Sequence, residues 1–128
     1  MESRKSLGIV LVVDDEAMIK DLARDILVRH GYSVLTAGSG EEALVLYQRH
    51  VDEISVVLLD ILMPVMDGKE VFRLIRGINA SARVIVSSGY SNDAEAEYLV
   101  KLGAAGFVQK PYRMADLVKA VGAVVAKT

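Results

Sequence analysis

The stretch Ile9-Val10-Leu11-Val12-Val13-Asp14-Asp15 decides how this chain folds. Its apolar part is unbroken and leaves no polar face, so one side of it cannot be turned to water. It reads as a strand buried on both sides, the pattern of a parallel sheet covered by helices on both faces. The same valine- and isoleucine-rich composition returns at Ser33–Ala37, Ser55–Leu59, Val84–Val86 and, more weakly, Phe107–Val108.

Between these runs the apolar spacing becomes helical. Met18, Leu22, Ile26 and Leu27 form one stripe, with Lys20, Arg24 and Asp25 away from it and Gly31 as the C-terminal cap. Ser39 followed by Glu42 is a capping-box pattern that opens a helix through Ala43, Leu44 and Tyr47. A third helix runs from about Lys69 to Arg76 with Val71, Phe72 and Ile75 inward, and a fourth covers Asp93 to Leu102. The last takes Met114 to Ala126, with Leu117, Val118, Val121 and Val125 as its apolar face. Five strand–helix units in strict alternation predict an α/β fold with right-handed crossovers and a parallel sheet.

At 128 residues there is room for one domain, and with 52% hydrophobic residues a packed core is within reach. The net charge of −2 offers no broad basic surface for nucleic acid. The absence of cysteine excludes disulfides, thiolate metal sites and a cysteine nucleophile. No apolar run approaches the roughly 20 residues of a membrane helix, and the start has no signal-peptide form. A cytoplasmic protein without membrane insertion is expected, with residues 1–8 as a loose tail and 9–128 as the domain.

The strand ends carry the polar residues. Asp14 and Asp15 follow the first strand, Asp60 the third, Ser87 and Ser88 the fourth, and Lys110 the fifth. In an open parallel sheet these positions share the carboxyl edge, where ligands bind beside a topological switch point. If the first and third strands are neighbours, three carboxylates converge at one crevice. Such a cluster needs a proton or a cation to offset its repulsion, and an all-oxygen site suits Mg2+. One carboxylate then serves as a nucleophile, while lysine and hydroxyl stabilise an incoming phosphoryl group. Each residue also has a plainer role: Asp14-Asp15 as helix N-cap and first-turn acid, Asp60 and Ser88 as loop residues, Lys110 as a solvated lysine. It is their combination, in order along the chain, that carries the chemistry.

The acidic pair Asp14-Asp15, Asp60 followed by Met63-Pro64 and Asp67-Gly68, Ser88-Gly89 and Lys110-Pro111 together resemble the receiver domains of two-component response regulators, the CheY-like family. The resemblance covers about residues 8 to 127. It implies a flavodoxin-like (βα)5 three-layer sandwich with a five-stranded sheet in the order 2-1-3-4-5. It also implies a phosphorelay switch rather than an enzyme in the usual sense, one that catalyses its own phosphorylation and dephosphorylation.

By that resemblance Asp60 is the phospho-acceptor, taking its phosphoryl group from a histidine kinase or histidine phosphotransfer protein. Asp15, Asp60 and the backbone carbonyl of Leu62 hold Mg2+, with Asp14 acting through water. Lys110 pairs with the acceptor and then with the phosphoryl oxygens, Ser88 swings to bond the phosphoryl group, and Phe107 turns inward as the aromatic switch. The Lys110–Pro111 bond is expected to be cis. Gly68 and Gly89 are expected to serve positive φ and close phosphate approach.

Two features depart from the commoner pattern. The fourth-strand hydroxyl is Ser88 where threonine is usual, and Leu62 and Tyr90 stand with Gly89 at positions flanking the acceptor. An apolar and an aromatic side chain there obstruct a hydrolytic water, so a long-lived phosphoryl group is expected. For output, Ala104-Ala105-Gly106 and Ala120 lack the charged partners typical of winged-helix regulators, and Ser88-Gly89-Tyr90 is similar to receiver modules of hybrid histidine kinases. The downstream target is unspecified. The competing readings are an aspartyl phosphohydrolase, which wants a second acid where Leu62 stands, a flavodoxin-type domain, and a docking module that is never phosphorylated.

Overall fold

The computed structural model describes residues 6–89 and 94–126. Five strands alternate with five helices: β1 (Ile9–Val13), α1 (Ala17–Arg29), β2 (Ser33–Ala37), α2 (Gly40–Arg49), β3 (Ile54–Asp60), α3 (Gly68–Ile78), β4 (Val84–Ser88), α4 (Ala94–Lys101), β5 (Gly106–Gln109) and α5 (Met114–Val125). All the strand pairs are parallel, and the sheet order is β2-β1-β3-β4-β5. This is the flavodoxin-like order expected above.

The unbroken apolar runs are explained by a core on each side of the sheet. Leu11, Val13, Val57, Leu59, Val84 and Val86 face one cluster, with Ala43, Tyr47, Val71, Phe72, Ile75 and Leu99 from α2, α3 and α4. Val10, Val12, Val56, Leu58 and Ile85 face the other, with Ala23, Ile26 and Leu27 of α1 and Leu117, Val121 and Val124 of α5. Alternation along each strand sends neighbours to opposite faces, and both faces are dry.

Local chemistry sets the helix ends. The side chain of Ser39 accepts the Glu42 amide at 3.1 Å, while the Glu42 carboxylate reaches back to the Gly38 amide at 2.8 Å, one residue before the expected capping-box partner. Asp67 caps α3 by accepting the Glu70 amide at 3.1 Å. At the end of α1, Gly31 adopts φ +98°; its amide bonds the Val28 carbonyl and that of Tyr32 bonds Leu27, a Schellman turn.

Three expectations change. Met18 is 85% exposed and Leu22 also faces solvent, because α1 lies on the sheet through Ala23, Ile26 and Leu27. The small alanine lets the helix approach closely, which rotates the larger side chains outward. In α5, Val124 rather than Val125 is buried with Leu117 and Val121, and Val118 and Val125 are half-buried. Strands β3 and β4 also extend over Asp60, Ser87 and Ser88, because these polar residues continue the ladder, Asp60 opposite Ser87 and Ser88 opposite Gln109. Asp93, the expected start of the fourth helix, lies outside the described residues.

Candidate functional site

The ladders run past the strand ends and fix the residues that follow. The amide of Asp14 bonds the Ala37 carbonyl at 3.1 Å, that of Ile61 bonds Ser87 at 3.1 Å, and that of Lys110 bonds Ser88 at 2.7 Å. Because β1 and β3 are neighbours, Asp14, Asp15 and Asp60 gather at one edge, with one carboxylate oxygen from each within 4.8 Å of the other two. Asp14 and Asp60 are buried, whereas Asp15 is exposed. Neither member of the acidic pair caps α1: the N-cap is Glu16, without a side-chain bond, and its first turn holds no acid. Instead one Asp14 oxygen accepts the Glu16 amide at 2.9 Å, leaving the other for the site.

Lys110 faces this cluster from the end of β5. Its ammonium lies 3.1 Å from Asp14 Oδ2, 3.2 Å from Asp60 Oδ2 and 3.3 Å from Glu16 Oε1. The second Asp60 oxygen accepts the Leu62 amide at 3.2 Å. Burial, then the Asp14 charge, push the Asp60 carboxyl up to about 6, although Lys110 and the Leu62 amide pull the other way. Burial also works against the Lys110 ammonium, but its hydrogen bond to Asp14 and the charges of both aspartates outweigh it and hold its pKa above the usual lysine range. The lysine therefore stays charged, and the cluster carries excess negative charge.

That excess and the donor set fit a hard divalent ion. Every side-chain donor in the group is a carboxylate oxygen, which suits Mg2+ and not a thiophilic metal.

The remaining expected residues fall around this centre. Ser88 is fully buried at the end of β4, and by alternation shares the face of Val86, against which Phe107 pairs in register. Phe107 is half-buried against the core on the α2–α4 side. Leu62 is 53% exposed beside Asp60. The Lys110–Pro111 bond is cis. Tyr90 lies outside the described residues. The positive φ expected at Gly68 and Gly89 is absent. Gly68 is needed for close approach to the strand instead: a Cβ there collides with the Ile61 backbone, whose carbonyl accepts the Gly68 amide at 3.1 Å.

Sequence reasoning missed two contributors. Glu16 reaches Lys110 from the residue after the acidic pair, and Tyr112, two residues beyond Lys110, is buried and donates its hydroxyl to Ser87 Oγ at 3.0 Å. The adjacency of Glu16 to Asp14-Asp15 is a usable signal. The Tyr112–Ser87 bond has none, since it depends on the pairing of β4 with β5.

Comparison with known proteins agrees with this geometry. The family described as response regulator receiver domain matches residues 10–122. The chemotaxis protein CheY of Bacillus subtilis is 33% identical over 113 residues, covering 88% of this chain and 92% of that protein. Sensor kinase CckA of Brucella abortus is 34% identical over 118 residues, covering 92% of this chain and only 12% of the kinase. Among solved structures, the CheX-CheY-BeF3-Mg+2 complex from Borrelia burgdorferi superposes with a TM-score of 0.86 at 33% identity, over 91% of this chain and 88% of that one. With its sheet order, its edge of carboxylates and a family match across nearly all its length, this chain belongs to the response regulator receiver domains of two-component signalling.

Proposed function

We propose that this receiver domain is a phosphoacceptor switch in which a phosphoryl group passes from a phosphohistidine to Asp60. The observation that carries the reading is the Lys110 ammonium, 3.1 and 3.2 Å from carboxylates supplied by distant parts of the chain. An Asp60 oxygen attacks phosphorus, the P–N bond breaks, and its electron pair stays on the imidazole nitrogen, which takes up a proton. Lys110 offsets charge on the phosphoryl oxygens, and Ser88 donates its hydroxyl to one of them. Mg2+, when bound, adds electrostatic stabilisation of the same oxygens. Asp15, Asp60 and the Leu62 carbonyl would hold it, with Asp14 acting through water. The related CheY from Borrelia burgdorferi, solved as a complex with BeF3 and Mg+2, supports that assignment by relationship.

Drawing Ser88 toward the phosphoryl group lets Phe107 turn inward, which shifts the face formed by α4, β5 and α5 between two states. The donor is a histidine kinase or phosphotransfer protein and the setting is the cytoplasm. Among the described residues no helix is long and apolar enough to cross a membrane. The likeness to part of a sensor kinase supports a place as the receiver module of a hybrid kinase.

Incubation with Mg2+ and a small phosphodonor, read by intact mass, tests the reading. The expected result is gain of one phosphoryl group per chain, abolished in Asp60→Asn. Steady turnover of phosphate monoesters overturns it in favour of a hydrolase, and no uptake by the wild type in favour of a docking module.

A further inference from the structure

Tyr112 is buried in the core on the α1 and α5 side of the sheet, and its hydroxyl donates to Ser87 at 3.0 Å. Ser87 is itself fully buried and lies opposite Asp60 in the β3–β4 register. The Lys110 amide meanwhile bonds the Ser88 carbonyl at 2.7 Å. The segment Lys110-Pro111-Tyr112 is thus tied to β4 at both ends, through neighbouring residues of the strand that borders the acceptor. Between these ties the Lys110 side chain extends to Asp14 and Asp60.

A phenylalanine would fill the same space without a polar atom to satisfy, so packing alone does not call for a hydroxyl here. The phenol carries its proton at neutral pH and donates it in this bond, and burial pushes its pKa further above the usual value. Lysine, by contrast, is a point charge on a flexible four-carbon stem, and its aim depends on where its backbone is held. A competing carboxylate is already in contact, because exposed Glu16 lies 3.3 Å from the same ammonium.

We propose that Tyr112 is a positioning residue: its hydroxyl, bonded to Ser87, pins the segment carrying Lys110 so that the ammonium keeps bridging Asp14 and Asp60 and is not drawn off them by Glu16, its third and exposed partner. Its consequence for phosphoryl transfer rests on the phosphoacceptor reading above, while its consequence for the carboxylates does not.

The test compares wild type with Tyr112→Phe, Ser87→Ala and the double variant. The first readout is the saturated rate of Asp60 phosphorylation by a small phosphodonor, separated from the donor concentration giving half that rate. Each single variant is expected to slow the saturated rate roughly 3–10-fold, as loss of one hydrogen bond implies, with half-saturation unchanged. The double variant is expected to be no slower than the slower single, because both remove the same bond. The second readout is Mg2+ affinity followed by NMR at the amides of residues 14, 15 and 60. It is expected to tighten in Tyr112→Phe, since a less firmly placed ammonium repels the cation less. A Tyr112→Phe protein with wild-type Mg2+ affinity overturns the proposal, and so do single effects that multiply in the double variant. If the wild type takes up no phosphoryl group, the phosphoacceptor reading falls alone, and the Mg2+ comparison still decides the role of Tyr112.

Discussion

Asp60 is 2% exposed and shares an ammonium with Asp14, yet burial and then the Asp14 charge push its carboxyl up to about 6 from the ordinary 3.8. A raised folded-state pKa means that the folded protein binds the proton more tightly than the unfolded chain. Without a divalent ion, Asp60 therefore lowers stability as pH rises from about 4 to about 6, and the loss is complete at neutral pH. Asp60→Asn is expected to raise stability at pH 7 in chelator-treated buffer by on the order of 2–3 kcal/mol, and to remove that part of the pH slope. Urea denaturation of both proteins between pH 4 and 7 checks this; parallel curves would sink it. Leu62, beside Asp60 and half exposed, lends itself to a kinetic test of the phosphoacceptor proposal. Leu62→Asn is expected to fold as well as wild type and to shorten the lifetime of the phosphoryl group several-fold by admitting water, and Tyr90→Glu to act in the same direction. Decay of the phosphorylated mass with time measures both.

At the scale of one helix, α3 contains two glycines with opposite requirements. Gly68 begins the helix against the end of β3, where a Cβ meets the Ile61 backbone, which cannot swing aside as a side-chain tip would. Gly68→Ala is expected to cost roughly 1–3 kcal/mol and to displace the loop beside Asp60. Gly77 sits in the same helix with nothing within 4 Å of a Cβ. Gly77→Ala is expected to stabilise by about 0.5–1 kcal/mol, the ordinary gain in helix propensity. Denaturant midpoints of the two variants should move in opposite directions. Legibility in the sequence is uneven at this scale. The spacing of α3 points Val71, Phe72 and Ile75 inward, and all three are buried. The spacing of α1 points the large residues Met18 and Leu22 inward, but the helix packs through Ala23. Hydrophobicity ranks side chains by size and polarity. Which stripe meets the sheet also depends on how closely the two backbones approach.

For the whole molecule, one sheet separates two cores, and the same sheet carries the site at its carboxyl edge. Leu58 lies at the centre, fully buried on β3 between β1 and β4. Leu58→Ala is expected to cost about 2–5 kcal/mol, whereas Met18→Gln on the exposed side of α1 should stay within about 0.5 kcal/mol. Thermal or urea unfolding of the two variants measures the difference. Because β3 borders both cores, Leu58→Ala should shift one cooperative transition and not split it.

Reading the chain alone is enough to give the alternation of strands and helices, the two-sided burial of the strands and the placement of acids and lysine at strand ends. These follow from periodicity and composition, which act over a few residues. It takes the folded arrangement to establish that one ammonium bridges Asp14 and Asp60, that Asp60 holds its proton more tightly than usual, that Gly68 serves close packing, and that Tyr112 reaches Ser87. Each of these depends on which strands lie side by side and how far their ends extend. Electrostatics and steric contact are set by distance in space, and no local pattern in the chain encodes that distance.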